Sequence, residues 1–204
     1  MRIAEILLLS YLIGSIPVGL IVGKLVKGID IRRYGSGNIG ATNVLRTLGI
    51  GPAIVVFVCD TLKGLGPVLL CKYMFNDPLL AVSAGIVSIL GHNFSLFLRF
   101  QGGKGVATSL GVMIGIHPTI AAIAFGVWLI VVGITRYISV ASIITAVTVP
   151  LQMWLSGPLL RKPVEREYLA FGIIAAAFIV AKHKSNIARL RAGTEAKIGQ
   201  KASV

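Results

Sequence analysis

Charge and cysteine are both scarce in this chain. Only 13% of its 204 residues are charged, while 55% are hydrophobic and the mean hydropathy is +0.88. A soluble domain of this length can hide a core without so apolar an average, so the composition points to an integral membrane protein. The two cysteines, Cys59 and Cys71, lie in or beside one hydrophobic segment and have no metal-ligand spacing. They read as inert structural thiols, and neither a metal nor a cofactor is expected. Long linkers and internal repeats are missing too. One domain is therefore expected over residues 1–204, with a disordered tail past Gly199 that is unrelated to function. The charge that is present leans one way: 20 Lys and Arg against 7 Asp and Glu give a net +13. No soluble basic domain or aromatic-basic surface carries that excess. This argues against nucleic acid and for anionic headgroups and phosphorylated compounds as counterparts.

Apolar runs of roughly 20 residues recur, each long enough to cross a bilayer. The pattern predicts an all-α membrane fold of about seven transmembrane helices, near Ile3–Val26, Pro52–Tyr73, Leu79–Leu98, Val106–Ile116, Thr119–Ile134, Ser139–Leu155 and Glu167–Ala181. The first run follows Met1-Arg-Ile-Ala-Glu5 without a small-residue cleavage site, so it reads as a retained helix rather than a signal peptide. The fourth is too short to span about 30 Å of hydrocarbon upright. With Gly102-Gly-Lys-Gly105 before it and Pro118 after it, it resembles a half-helix whose positive end faces a loop. Merging or re-entry of the fourth and fifth segments leaves a five-span alternative. With the N-terminus outside and seven spans, the outer Lys and Arg are only Arg2, Lys72, Arg161, Lys162 and Arg166. That bias predicts a cytoplasmic C-terminus.

Three glycine-marked polar segments, Tyr34–Asn43, Phe100–Thr108 and Lys182–Glu195, then share the cytoplasmic face. In the first, Gly35, Gly37 and Gly40 alternate with Ser36, Asn38, Thr42 and Asn43. A helix starting near Thr42 aims its N-terminal amides at a ligand and places Arg46 one turn on. An ordinary glycine loop with an N-cap is the plainer reading. In the second, Gly102, Gly103 and Gly105 let backbone amides approach an oxyanion while Lys104 adds a point charge; a flexible basic loop is the plainer reading. A nucleotide P-loop is excluded, because Leu98 stands where its first glycine is needed and Gly105 where Ser or Thr must follow the lysine. In the third, His183, Asn186 and Arg189 or Arg191 recur at helical spacing and offer a base, an amide and a cation. A headgroup anchor is the alternative, against which the acidic Glu195 stands. Asp60 and Lys63, inside the second apolar run, would each cost about 2.5–3.5 kcal/mol alone, so an i,i+3 pair facing the interior is expected. His92-Asn93 either supports the Lys104 loop or is a satisfied buried pair. Ser139 and Ser142 bond a phosphate or their own backbone.

In this order, the strings resemble the bacterial acyl-phosphate:glycerol-3-phosphate acyltransferases, the PlsY family. The matching residues are Gly35-Ser-Gly-Asn-Ile-Gly-Ala-Thr-Asn43 with Arg46; Gly91-His-Asn-Phe-Ser95 leading to Gly102-Gly-Lys-Gly-Val-Ala-Thr108; and His183 with Asn186, Arg189, Gly193, Thr194 and Glu195. The resemblance extends over nearly the whole chain. It implies transfer of a fatty acyl group from acyl phosphate to the sn-1 hydroxyl of glycerol 3-phosphate, giving 1-acyl-glycerol 3-phosphate and phosphate. Ser36, Arg46, Lys104, His183, Asn186 and Glu195 are its expected catalytic positions. Gly37, Asn38, Thr42, Gly102, Gly103, Gly105, Thr108, Ser142 and Arg189 are expected to bind phosphate beside Lys104, with Asp60, Lys63, His92 and Asn93 behind them. The resemblance also implies a site on the cytoplasmic side of the bacterial inner membrane. Acyl phosphate, glycerol 3-phosphate and the bilayer are the expected partners, with no obligate protein partner.

No Ser-His-Asp arrangement is evident and neither cysteine is near a polar motif, so an acyl-enzyme is not expected. Acyl phosphate is already activated, and positioning with charge neutralisation can supply most of the rate. The proton acceptor is either the donor's phosphate or His183. The soluble acyltransferase signature, a His followed five residues on by Asp, is absent: Phe97, Ala122 and Ala188 occupy those positions. A transporter or flippase for a phosphorylated compound is the alternative, disfavoured because the motifs share one face and no inverted repeat is visible. A lipid-binding structural protein comes third, since it has no need of Gly102-Gly-Lys-Gly105.

Overall fold

The computed structural model describes residues 3–160 and 164–200. Arg2, Arg161, Lys162 and Lys201, which enter the charge asymmetry, lie outside the described residues, as does the tail past Gln200. Ten α-helices account for most of the described chain: α1 (Ile3–Ser15), α2 (Val18–Lys27), α3 (Ala41–Leu48), α4 (Ile50–Phe75), α5 (Pro78–Asn93), α6 (Val106–Ile116), α7 (Pro118–Thr135), α8 (Ile138–Leu160), α9 (Arg166–Lys182) and α10 (Lys184–Arg191).

The first apolar run was expected as one helix but is broken between Ser15 and Val18. Pro17 has no N–H to give, and it disfavours helical geometry in the residue before it. The Ile16 carbonyl at the break accepts from the Lys63 ammonium at 3.1 Å. Each of the other expected segments is present as a helix, with α6 the short one. Among the described residues, five segments are long and apolar enough to cross alone, taking Ile3–Lys27 as one; α9 with α10 makes a sixth if that pair, bent by 54°, is counted together. At about 1.5 Å per residue, the 11 residues of α6 rise about 16 Å and the 18 of α7 about 27 Å. The shorter α6 is preceded by a loop whose Gly103 and Gly105 are buried.

The outside of the bundle is apolar: Leu8, Ile54, Ile130 and Trp154 are exposed. Asp60, Lys63, Ser88, His92, Asn93 and Thr108 are buried. This is the distribution expected where the surrounding solvent is lipid. Small residues bring the inner helices together. Gly14 and Gly91 seat α1 against α5, and a side chain at Gly111 would strike the Thr61 carbonyl of α4. The alternation of helices along the chain gathers the loops after α2, α5, α7 and α9 at one end of the bundle, where they bond to one another.

Candidate active site

The first of these loops is folded by Asn43, which is buried at the start of α3. Its Oδ1 accepts from the Ser36 N–H at 2.8 Å, and its Nδ2 donates to the carbonyls of Tyr34 and Ile31 at 3.1 and 3.2 Å. Asn38 Oδ1 accepts from the Gly40 N–H at 2.9 Å. The amides of Ser36 and Gly40 are thus engaged within the loop, and the side chains of Ser36, Asn38 and Thr42 reach the wall of a large cavity. Arg46 follows one turn into α3, where its guanidinium donates to the Ala196 carbonyl at 2.9 Å.

The second loop folds back on the end of α5. The Gly103 N–H donates to the His92 carbonyl at 2.9 Å, so this amide is not free for an anion as the sequence suggested. A side chain at Gly103 would run into the His92 imidazole, and one at Gly102 into the His92 carbonyl. These glycines are needed for close packing, and neither lines the cavity. Gly105, at φ +79°, turns the chain into α6. Lys104 does line the cavity, and its ammonium donates to Asn186 Oδ1. Burial, with Arg189 and Arg46 adding to it against the opposing pull of Glu195, lowers the Lys104 pKa to about 8. Thr108, expected as a phosphate ligand, is instead buried against Gly64 of α4 and off the cavity wall.

The tail closes the same end. At the bend between α9 and α10, His183 Nδ1 lies 2.7 Å from the Ile179 carbonyl. A carbonyl only accepts, so Nδ1 carries the proton and Nε2 is the other functional nitrogen. Glu195 is buried and holds three partners: Oε1 accepts from Asn186 at 2.7 Å and from Ser139 at 2.9 Å, and Oε2 from Arg189 at 2.7 Å. Burial raises its pKa, but the bonds from Asn186, Arg189 and Ser139 outweigh that and hold it below the usual carboxylate value. Arg189 is turned to Glu195 and does not line the cavity; Arg191 is exposed. Ser142 reaches the cavity wall, but its hydroxyl donates to the Ile138 carbonyl at 2.9 Å and accepts from the Trp128 indole at 3.3 Å. Its proton is therefore committed elsewhere than to a phosphate. Gly37 is also absent from the wall.

Asp60 and Lys63 form the interior pair expected from their spacing, at 2.8 Å. His92 Nδ1 stands 3.8 Å from Asp60 Oδ1. Asp60 and His92 touch the cavity, while Lys63 and Asn93 do not. Among the described residues, no three His, Cys, Asp or Glu side chains gather as they would around a metal ion.

The cavity has a volume of about 680 Å³. Ser36, Arg46, Lys104, His183, Asn186 and Glu195 line its polar end, and Phe57, Met113, Phe125, Val149 and Phe171 line the apolar part between α4, α6, α7, α8 and α9. A family model described as glycerol-3-phosphate acyltransferase matches residues 4–193. The chain belongs to the glycerol-3-phosphate acyltransferase family. Relatives of that name include the Desulforamulus reducens protein, 46% identical over 192 residues (94% of this chain, 93% of the relative), and the Desulforudis audaxviator protein, 49% identical over 189 residues (93% and 92%). A crystal structure of PlsY (YgiH), an integral membrane glycerol 3-phosphate acyltransferase, in its glycerol 3-phosphate form is similar with a TM-score of 0.90 at 38% identity. That match covers 98% of this chain and 96% of the other. The lysphosphatidic acid form gives a TM-score of 0.87 at 39% identity. Membership in the PlsY family agrees with the multi-pass helical membrane fold described above.

Proposed function

We propose that the protein is a glycerol-3-phosphate acyltransferase that moves a fatty acyl group from acyl phosphate to the sn-1 hydroxyl, producing 1-acyl-glycerol 3-phosphate and phosphate. The observation that carries this reading is a single cavity joining a cationic polar end to an apolar channel within the helices. Such a space suits a donor with a lipid chain and a phosphate, with room at the polar end for a second phosphorylated compound.

Lys104 and Arg46 neutralise the substrate phosphates and the charge that develops on the acyl oxygen. Ser36, Asn38 and Thr42 orient the acceptor, while Asn186 and Glu195 hold Lys104 and Arg189 in place. The acceptor hydroxyl oxygen attacks the acyl carbon, the bond from that carbon to the phosphate oxygen breaks, and its electron pair leaves with phosphate. The hydroxyl proton passes to the departing phosphate or to His183 Nε2. Neither cysteine lines the cavity, and the described residues include no hydrogen bond between Ser36 and a histidine, which supports direct transfer without an acyl-enzyme. The lysine and arginine asymmetry supports an orientation with the site and C-terminus facing the cytoplasm, which suits the bacterial inner membrane that the family resemblance implies. The reading requires no protein partner.

Purified protein in detergent, given acyl phosphate and glycerol 3-phosphate, is expected to release phosphate and form the monoacyl product, with acyl-CoA as the control donor. Turnover with acyl-CoA and none with acyl phosphate would overturn the donor assignment.

A further inference from the structure

The residues after Glu195 are held more firmly than an exposed tail requires. Gly193, at φ +69°, turns the chain after α10, and Glu195 then enters the interior. The next carbonyl, that of Ala196, receives the Arg46 guanidinium. Two residues on, the Ile198 N–H donates to the Arg136 carbonyl at 2.8 Å, and Arg136 Nη2 donates back to the Ile198 carbonyl at 3.3 Å. Arg136 is the left-handed residue, φ +61°, that ends α7. The Lys197 ammonium lies 5.5 Å from the centre of the neighbouring Tyr137 ring, and Lys197 and Gln200 exchange two further bonds at 2.7 and 3.2 Å. A strap over residues 195–200 therefore joins α10, α3 and the turn between α7 and α8.

We propose that Arg136 is a positioning residue of the acyl transfer: by latching Ile198 it fixes the register of the strap. It lines no part of the cavity. Its effect passes through two neighbours of the latch, the Ala196 carbonyl that aims Arg46 and the Glu195 carboxylate that holds Asn186, Arg189 and Ser139. An extended chain advances about 3.3 Å per residue. A slip of one residue in the strap is thus enough to carry the Ala196 carbonyl out of hydrogen-bond reach of Arg46. Without the latch, Ile198 loses its tie to the turn after α7, and the strap's register rests on the contacts of Glu195, Ala196 and Lys197 alone. The inference deepens the acyltransferase reading and rests on it.

Two variants leave the cavity untouched and open the latch from opposite sides. Ile198→Pro removes the N–H while keeping apolar bulk, and Arg136→Ala removes the guanidinium while keeping the carbonyl. Hydrogen exchange over residues 194–200 is expected to quicken in Arg136→Ala. In both variants KM for glycerol 3-phosphate is expected to rise roughly 3- to 10-fold, the scale of one hydrogen bond. Arg136→Lys, which restores a donor, should recover most of the loss. Unchanged exchange in Arg136→Ala overturns the latch. Faster exchange with both KM values unaltered overturns the positioning role. A wild-type protein that turns over no substrate fails the acyltransferase reading instead, and exchange then judges the latch alone.

Discussion

Lys63 and Lys104 are both lysines drawn into the interior of a membrane protein, and their surroundings are opposite in kind. Lys63 meets one carboxylate, Asp60 at 2.8 Å, and one carbonyl, that of Ile16 at 3.1 Å, so positive and negative charges balance. Lys104 stands with Arg46 and Arg189 around a single carboxylate, Glu195, which is already bonded to Arg189. Three cations against one anion leave two positive charges beside the cavity. A balanced buried pair serves the fold, and removing one member strands the other. An unbalanced cluster lowers stability by itself and makes sense where an anion from outside completes it. The difference separates the part of the molecule that holds the bundle together from the part proposed to meet the substrate phosphates.

The comparison breaks most visibly if the lone carboxylate of the second cluster is removed. Glu195→Ala leaves three cations without their anion and frees Asn186 from one partner. Turnover in detergent is expected to fall about 10²- to 10³-fold, the scale of losing a preorganised charge contact, and Asn186→Ala should follow it. Full activity of both variants would return the tail to a membrane-anchoring role. Acidity is the next lever. In the proposed mechanism Lys104 acts as a cation, and its pKa is lowered to about 8, so kcat/KM should fall about tenfold per unit as pH rises above about 8. A profile of the wild type and of Lys104→Arg checks the assignment, because the limb should move out of range in the arginine variant. A limb that stays near 8 in Lys104→Arg belongs to another group.

Gly103→Ala sharpens the boundary between fold and chemistry. The added methyl meets the His92 imidazole rather than a substrate, so thermal unfolding should show about 1–3 kcal/mol of destabilisation, as for overpacking. Unchanged stability with weakened phosphate binding would put this glycine back in the anion site. The smallest effect is expected at Thr108→Val. Its hydroxyl is buried, has no hydrogen-bond partner among the described residues and lies off the cavity wall, and activity should stay within about threefold of wild type.

How much of this was legible in the sequence depended on distance along the chain. The bounds of α6 follow from local punctuation, Gly105 before it and Pro118 after it, and the structure has the same bounds. The i,i+3 pair of Asp60 and Lys63 follows from helical spacing and the cost of a lone charge in an apolar run. The break at Pro17 was obscured because the hydrophobic pattern continues on both sides of it. The three polar segments were visible by composition, yet composition does not tell which polar group faces the cavity. Thr108 and the Gly103 amide turned out to face α4 and His92, and Ser142, though on the cavity wall, gives its proton to the α8 backbone. Asn43 stood within the first motif, but its work as the staple of that loop depends on carbonyls 9 and 12 residues away. The bond from Arg46 to Ala196 joins residues 150 apart and leaves no local trace in the sequence.

One substitution made at both lysines tests the contrast directly. Lys63→Met and Lys104→Met are each purified in detergent, and thermal unfolding and phosphate release from acyl phosphate are measured on both. Lys63→Met is expected to lose about 3–5 kcal/mol of stability, because Asp60 is left buried without its partner. Lys104→Met is expected to unfold at the wild-type temperature or slightly above while releasing almost no phosphate. A Lys104→Met protein that retains turnover, or one destabilised as much as Lys63→Met, would contradict the division between a charge pair that builds the bundle and a cationic cluster that awaits phosphate.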